Sequence, residues 1–339
     1  MNESTTIAIT EQSQTGEARR ASLALASRLG FEETERGKIG ILVTEVANNL
    51  ILHAGCGVIV LRAIAQDDSL GIEVLGLDRG SGMLDVEECL QDGFSTAGTS
   101  GNGLGAIRRL SDFFEIYSQP NKGTAVLAHL WAKSSTHSPQ GSRPAIIEIG
   151  VVALPKLGEE VSGDAWAWEG DTHRSLFLVV DGLGHGPAAA SAAAAAIRVF
   201  HDYHHQSPQR IVEAAHAALR STRGAALAIA EINFEQQTVC FAGVGNIAAS
   251  ISSATEHHNL MSYNGTVGHE VRKIKEFTYP WYVNGMLTMH SDGISTQWKL
   301  DRYPGLSQKH PSLIAGVLYR DFYRERDDVT MLVAKGTGL

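Results

Sequence analysis

Carboxylates recur in the C-terminal half of the chain in four short motifs, Ser162-Gly163-Asp164, Asp181-Gly182, Ser291-Asp292-Gly293 and Asp327-Asp328, with no cysteine or histidine among them. Hard oxygen donors without nitrogen or sulfur partners suit Mg²⁺ or Mn²⁺ rather than zinc or copper. Three of the motifs read as ending a β-strand, which would deliver their side chains to one rim of a sheet. A single Asp-Gly after an apolar run is most often a hairpin turn. Four such sites within one domain point instead to a dinuclear metal centre. Two cations about 4 Å apart lower the pKa of a shared water and clamp the entering and leaving oxygens of an in-line phosphoryl displacement.

A second constellation lies nearer the N-terminus. Glu45 and Asn49 are four apart on a predicted helix and so share a face, although taken alone an exposed polar pair is the plainer reading. Asp78-Arg79-Gly80-Ser81-Gly82-Met83 ends a predicted strand, and Gly101-Asn102-Gly103-Leu104-Gly105 opens a predicted helix. Glycines let the backbone approach an anion, and a helix N-terminus offers unpaired N–H groups and partial positive charge to phosphate. No strand leads into the second glycine loop and no acidic residue follows at the required place, so it is not a Rossmann fingerprint. Nor does Gly-Lys-Ser or Gly-Lys-Thr follow, which excludes a Walker loop.

These residues need elements to position them. Apolar periodicity predicts helices over residues 17–29 and 33–53, ended by Gly30 and Gly55, strands over 58–65 and 72–77, a helix over 104–110, and strands over 113–118 and 124–131. That order implies an α+β layer, with helices on one face of a mainly antiparallel sheet. Ser134 to Arg143, reading SSTHSPQGSR, interrupts the periodicity as a linker does. The expected organisation is therefore an N-terminal domain over 1–133, a linker over 134–144 and a C-terminal domain over 145–339. Beyond the linker, strands are predicted over 146–153, 176–180, 225–232, 239–242, 247–251, 286–290 and 329–334, and helices over 187–204 and 208–219. Alanines between 188 and 196 would let the first of these helices lie close to a sheet. His201, His204 and His205 fall at its end and read as a solvated surface.

At 339 residues the chain has room for two cores, and 43% hydrophobic with 19% charged residues is an ordinary globular composition. A formal charge of -9 argues against nucleic-acid and anionic-membrane partners. Cys56, Cys89 and Cys240 stand singly, which suggests neither a disulfide framework nor a zinc ribbon. The polar stretch Met1 to Gly16 lacks the order of a signal peptide, and no apolar run reaches spanning length, so a soluble cytoplasmic protein is expected.

Taken in order, Val161-Ser162-Gly163-Asp164-Ala165-Trp166, Val179 to Gly186, Phe241-Ala242-Gly243-Val244-Gly245-Asn246, His290-Ser291-Asp292-Gly293 and Arg326 to Thr330 resemble the metal-dependent type 2C protein phosphatases, in their bacterial SpoIIE-like branch. The resemblance implies an αββα sandwich and two Mn²⁺ or Mg²⁺ ions. It would have Asp181 bridge both metals with the Gly182 carbonyl completing the first site, Asp292 and Asp327 hold the second, and Asp164 join directly or through water. Asp328 ranks below Asp327. A metal-bridged hydroxide would attack the phosphorus of phosphoserine or phosphothreonine, with no covalent enzyme intermediate. The phosphate-gripping arginine of eukaryotic members has no secure counterpart. His185, inside the second motif, is expected to shape its loop.

The N-terminal constellation is similar to the GHKL ATPase fold, an α/β sandwich found in histidine kinases and anti-sigma-factor serine kinases. Glu45 to Asn49 resembles its N box, Asp78 to Met83 its first glycine box, Gly101 to Gly105 its second, and Gly123-Thr124 its closing strand motif. By that resemblance ATP with Mg²⁺ would bind here. Asn49 would coordinate the Mg²⁺, Asp78 would accept from the adenine amino group, and Gly80 and Gly82 of the same glycine box would belong to the cofactor-binding site. Gly103, Leu104 and Gly105 would wrap the phosphates, Thr124 would lie near the adenine, and Glu45 would act as general base on a protein serine or on water. The stretch from Asp92 to Gly101 is short for a nucleotide lid. The fusion resembles bacterial partner-switching regulators of the stress response, which implies a phosphorylated STAS-domain antagonist as substrate and sigma-factor regulators as partners. The alternative is an ATP-sensing, partner-binding switch without kinase activity.

Overall fold

The computed structural model describes residues 4–66, 69–90, 103–132 and 146–337. The expected linker and the stretch 91–102, with Gly101 and Asn102, lie outside the described residues. Contacts divide the chain into two compact units, one of Glu3–Pro144 with Lys299–Arg320 and one of Ala145–Trp298 with Asp321–Leu339. The segment Lys299–Arg320, expected within an uninterrupted C-terminal domain, thus clusters with the N-terminal unit.

In the first unit β1 (Ser4–Ile9), α1 (Gln12–Arg28), α2 (Glu33–Ala54), β2 (Gly57–Gln66), β3 (Ser69–Asp78), α3 (Val86–Cys89), α4 (Gly103–Leu110), β4 (Phe113–Ser118) and β5 (Thr124–Trp131) follow in turn. The strands form one antiparallel sheet, ordered β1-β2-β3-β5-β4. Helix α2 starts from a reciprocal capping box between Glu32 and Glu35 and stops at left-handed Gly55. Its apolar stripe, Ile39, Leu42, Val43, Val46 and Leu50, packs with Ile59 and Leu61 of β2, Ile72 and Val74 of β3, and Val126 and Ala128 of β5. Val46 lies so close to β3 that a Cβ on Gly76 would stand 2.6 Å from it.

The second unit contains β6 (Ile147–Leu154), β7 (Asp164–Gly170), β8 (Arg174–Gly182), α5 (Pro187–Tyr203), α6 (Pro208–Ala218), β9 (Ala225–Asn233), β10 (Thr238–Val244), β11 (Ala248–Ser252), β12 (His257–Asn259), β13 (Phe277–Pro280), β14 (Met286–His290) and β15 (Val329–Gly336). Two five-stranded sheets result, ordered β13-β10-β9-β8-β7 and β12-β11-β14-β15-β6. Phe177, Val179, Ala230 and Phe241 of one sheet share a core with Val151, Ile251, Leu287, Met289 and Leu332 of the other. Against the far face of the first sheet lie α5 and α6, with Ala193, Ala196, Phe200, Ile211 and Val212 buried on Leu178, Val180, Leu227 and Ile229. The alanine tract therefore serves close helix-to-sheet packing, as its composition suggests.

Helix α7 (Pro311–Phe322) belongs to the first unit as far as Arg320. Alternate residues of β3, Glu73, Leu75 and Leu77, point away from α2 and meet it: a Cβ on Gly316 would lie 2.6 Å from Leu75 Cδ2, and Ser312 Oγ donates to Glu73 Oε2 at 2.5 Å. Burial alone would raise the Glu73 pKa, but the Arg62 guanidinium, bonded at 2.9 and 3.1 Å to its two oxygens, and His129 at 3.0 Å hold it well below the usual range. His310 completes a trio with Glu73 and His129 of the kind that can hold a metal ion. With both carboxylate oxygens committed to Arg62, the trio fits a buried ion-pair network better.

Candidate metal centre and nucleotide pocket

The acidic motifs converge because antiparallel pairing puts the end of one strand beside the start of the next. Asp164 opens β7 and Asp181 lies near the end of β8, directly opposite it in the ladder. Asp292 follows β14, and Asp327 and Asp328 precede β15, strands that pair antiparallel in the second sheet. Two motifs thus end strands and two begin them, a correction to the expectation that three stand at strand ends. Backbone bonds seal the second junction, with Ser291 N–H donating to Thr330 O and Thr330 N–H to Ser291 Oγ, both at 3.0 Å.

Asp181, Asp292 and Asp327 line one cavity of about 450 Å³, together with Gly184, Asn246, Asn264 and Thr266. Crowded carboxylates resist ionisation. Burial, followed by the charges of Asp292, Asp327 and Asp328, pushes the Asp181 pKa up to about 7. Burial and Asp327 raise that of Asp292, and burial and Asp181 carry that of Asp164 well above the ordinary carboxylate value. Asp164 Oδ2 is buried with no hydrogen-bond partner among the described residues. An orphaned buried carboxylate oxygen facing like charges is the donor set that hard dications satisfy, so the residues present fit Mg²⁺ or Mn²⁺.

Asp328 does something different. Its carboxylate accepts from Lys156 N–H and Gly163 N–H, each at 2.8 Å, which ties the loop before Asp164 to the start of β15. Asn246 Nδ2 donates to Asp292 Oδ2 at 2.8 Å and orients that carboxylate. His185 Nδ1 meets Glu159 Oε1 at 2.6 Å and takes no place among the carboxylates lining the cavity.

In the first unit, Asp78 Oδ1 accepts from Gly80 N–H at 2.8 Å and from Thr124 N–H at 3.1 Å, which joins the first glycine motif to the start of β5. Burial raises the Asp78 pKa, partly offset by those two N–H groups. Ser118 Oγ accepts from Met83 N–H and sits 2.9 Å from Thr124 Oγ1. Gly82 and Gly123 adopt φ of 65° and 82°, and a Cβ on either would strike backbone, that of Gln119 or of Asp78. Glu45 and Asn49 meet the start of α4: a Cβ on Gly103 would stand 3.1 Å from Asn49 Oδ1 and 3.3 Å from Glu45 Oε2. Asn49 Nδ2 is buried without a partner among the described residues. Glu45, Asn49 and Gly103 are therefore gathered in one place, and Asp78, Gly80, Gly82 and Thr124 in another, while Leu104 and Gly105 follow in the first turn of α4.

The model of the histidine kinase-like ATPase domain matches residues 9–129, and that of stage II sporulation protein E (SpoIIE) matches residues 171–336. The serine/threonine-protein kinase RsbT of Bacillus subtilis is 32% identical over 133 residues, 39% of this chain and 100% of that protein. The chain is a fusion of a GHKL-type ATPase domain and a SpoIIE-type phosphatase domain. For the phosphatase domain, the phosphoserine phosphatase RsbX of Bacillus subtilis is 28% identical over 150 residues, 44% of this chain and 75% of that protein. A solved structure concerned with the bacterial stressosome superposes with a TM-score of 0.53 at 27% identity, over 56% of this chain and 98% of its own. A crystal structure of RsbX in complex with magnesium shares the fold, with a TM-score of 0.53 at 24% identity over 58% and 99% of the two chains.

Two residues of the phosphatase domain escape a motif reading of roles. Asn246 stands in a quoted segment, yet only the ladder shows that its amide reaches Asp292. The partners of Asp328 are backbone groups 172 and 165 residues away, which no local spacing could announce.

Proposed function

We propose that the chain is a metal-dependent phosphoprotein phosphatase acting on phosphoserine or phosphothreonine of a STAS-type regulatory protein, with a fused ATP-binding, serine kinase-like domain, in bacterial partner switching. One observation carries the phosphatase half: three carboxylates flanking separate strands share a cavity beside the orphaned, buried oxygen of Asp164. Asp181, the Gly182 carbonyl, Asp292 and Asp327 would hold two Mn²⁺ or Mg²⁺ ions, with Asp164 behind Asp181. When bound, the ions supply a nucleophile from water near neutral pH and neutralise charge on the phosphoryl group. The chain's own residues fix where that happens. Asp328 anchors the loop before Asp164, Asn246 turns Asp292 toward the cavity, and the absence of a side chain at Gly182 lets β8 end against α5, since a Cβ there would strike the Ala189 backbone.

For the ATPase domain, the Asn49 amide, unpartnered among the described residues, beside Gly103 and the Asp78 carboxylate at the glycine motif support an ATP-Mg²⁺ site, at which Glu45 would take a proton from a serine hydroxyl. Both halves are tested by incubating the protein with Mn²⁺ and a phosphorylated STAS protein, with and without ATP. Release of phosphate is expected without ATP, and transfer to serine with it. No release from any phosphorylated STAS protein would remove that substrate class. Glu45→Ala that binds ATP yet transfers as well as the native protein would remove the proposed base.

A further inference from the structure

The cavity is lined by three aspartates, Asp181, Asp292 and Asp327, and by the amides of Asn246 and Asn264, and none of the residues lining it is cationic. A phosphate monoester approaching it carries about two negative charges near neutral pH. Arg223 stands beside this cavity, in the turn between the short 3-10 segment Leu219–Ser221 and β9. Its backbone is held on both sides. Gly224, at φ 78°, donates its N–H to Thr222 Oγ1 at 3.0 Å and accepts from Leu183 N–H at 3.0 Å, and His269 Nε2 lies 3.1 Å from the Thr222 carbonyl oxygen. The Leu183 bond fastens the turn to the loop that follows Asp181. The side chain reaches Gly184, a cavity-lining residue, where Nη1 lies 3.0 Å from the place a Cβ on Gly184 would occupy. Arg223 has no hydrogen bond or ion pair among the described residues, although three aspartates line the cavity it borders. The second arginine nearby, Arg324, acts on Asp292, whose pKa it lowers against the push of burial and Asp327.

We propose that Arg223 is the residue that grips the substrate's phosphate, its guanidinium binding non-bridging oxygens across the bare backbone of Gly184. A planar fork of N–H donors suits two phosphate oxygens at once, and a turn bonded on both sides limits the ordering cost of using it. The assignment rests on the phosphatase reading and supplies the anion clamp that motif comparison leaves missing.

Inorganic phosphate titrated into the full-length, Mn²⁺-loaded protein by calorimetry tests it, with native protein, Arg223→Ala, Arg223→Lys and Arg324→Ala compared. Arg223→Ala should weaken phosphate binding about tenfold, the scale of one charge-assisted set of hydrogen bonds, with Mn²⁺ affinity retained and partial recovery in Arg223→Lys. With p-nitrophenyl phosphate, KM should rise by a similar factor while kcat changes less. Unchanged phosphate affinity in Arg223→Ala would overturn the clamp, even if KM for a phosphoprotein rises, because Arg223 would then be meeting a carboxylate of the partner. An equal loss in Arg324→Ala would overturn it too, by showing a general field effect. If phosphate affinity depends on Arg223 but no phosphoserine is hydrolysed, the clamp stands and the phosphatase reading falls.

Discussion

Around Asp78 the working surface is largely backbone. Glycines at positive φ and a strand start crowd together, and two main-chain N–H groups orient the one carboxylate. Around Asp181 the surface is side-chain charge, gathered from two strand ends and two strand starts and held despite mutual repulsion. The first arrangement reserves space for a ligand by leaving side chains out. The second reserves binding energy for cations by placing carboxylates where they ionise poorly alone. Opposite perturbations should therefore break the two: an added methyl disables a backbone-built site, and a removed charge disables a carboxylate-built one.

The largest effect is expected from Asp181→Asn. An amide cannot bridge two cations as a carboxylate does, so Mn²⁺-dependent phosphate release should fall on the order of a thousandfold or more, with ATP binding retained. Steady-state kinetics beside a nucleotide titration checks both, and loss of ATP binding as well would erase the contrast. Next comes Gly123→Ala. A Cβ at φ 82° meets the Asp78 backbone, so the variant should lose about 2 kcal/mol of stability in denaturant unfolding and bind ATP poorly. Native-like nucleotide affinity would show that the glycine serves only the turn.

The pH dependence of the metal-free protein sharpens the contrast further. The Asp181 pKa is about 7 in the fold, above its unfolded value near 3.8, so the stability it contributes is full below about pH 4 and is lost as pH rises through 7. Thermal melts should thus show metal-free protein losing stability between about pH 4 and 7, Mn²⁺ restoring more at pH 8 than at pH 6, and Asp181→Asn flattening the trend. A pH-independent Mn²⁺ increment would contradict the crowding that the geometry implies. The smallest effect is expected from Asp328→Asn. One of its two backbone N–H groups would lose its acceptor, costing about 1–2 kcal/mol and slowing turnover less than tenfold. A loss as deep as that of Asp181→Asn would move Asp328 among the metal ligands.

The strands that sequence patterning did not anticipate, β1, β7, β12 and β13, all stand at sheet edges. An edge strand has one neighbour, tolerates polar residues such as those of Ser4–Ile9 or Asp164–Gly170, and so carries little periodic signal. Central strands β3, β8, β9 and β15 announce themselves because burial on both faces demands long apolar runs.

Sequence alone determined which chemistry the chain could host: the carboxylate types, the glycines at positive φ, the apolar stripe of α2 and the order of the elements are local properties, fixed by side-chain chemistry and backbone sterics. Tertiary structure decided which of those residues meet. Antiparallel pairing brought Asp164 to Asp181 and β14 to β15, a loop bond set Arg223 beside Gly184, and packing on β3 drew α7 into the first unit. Each of those contacts joins residues far apart in the chain, and long-range register and burial have no imprint on the spacing of neighbours.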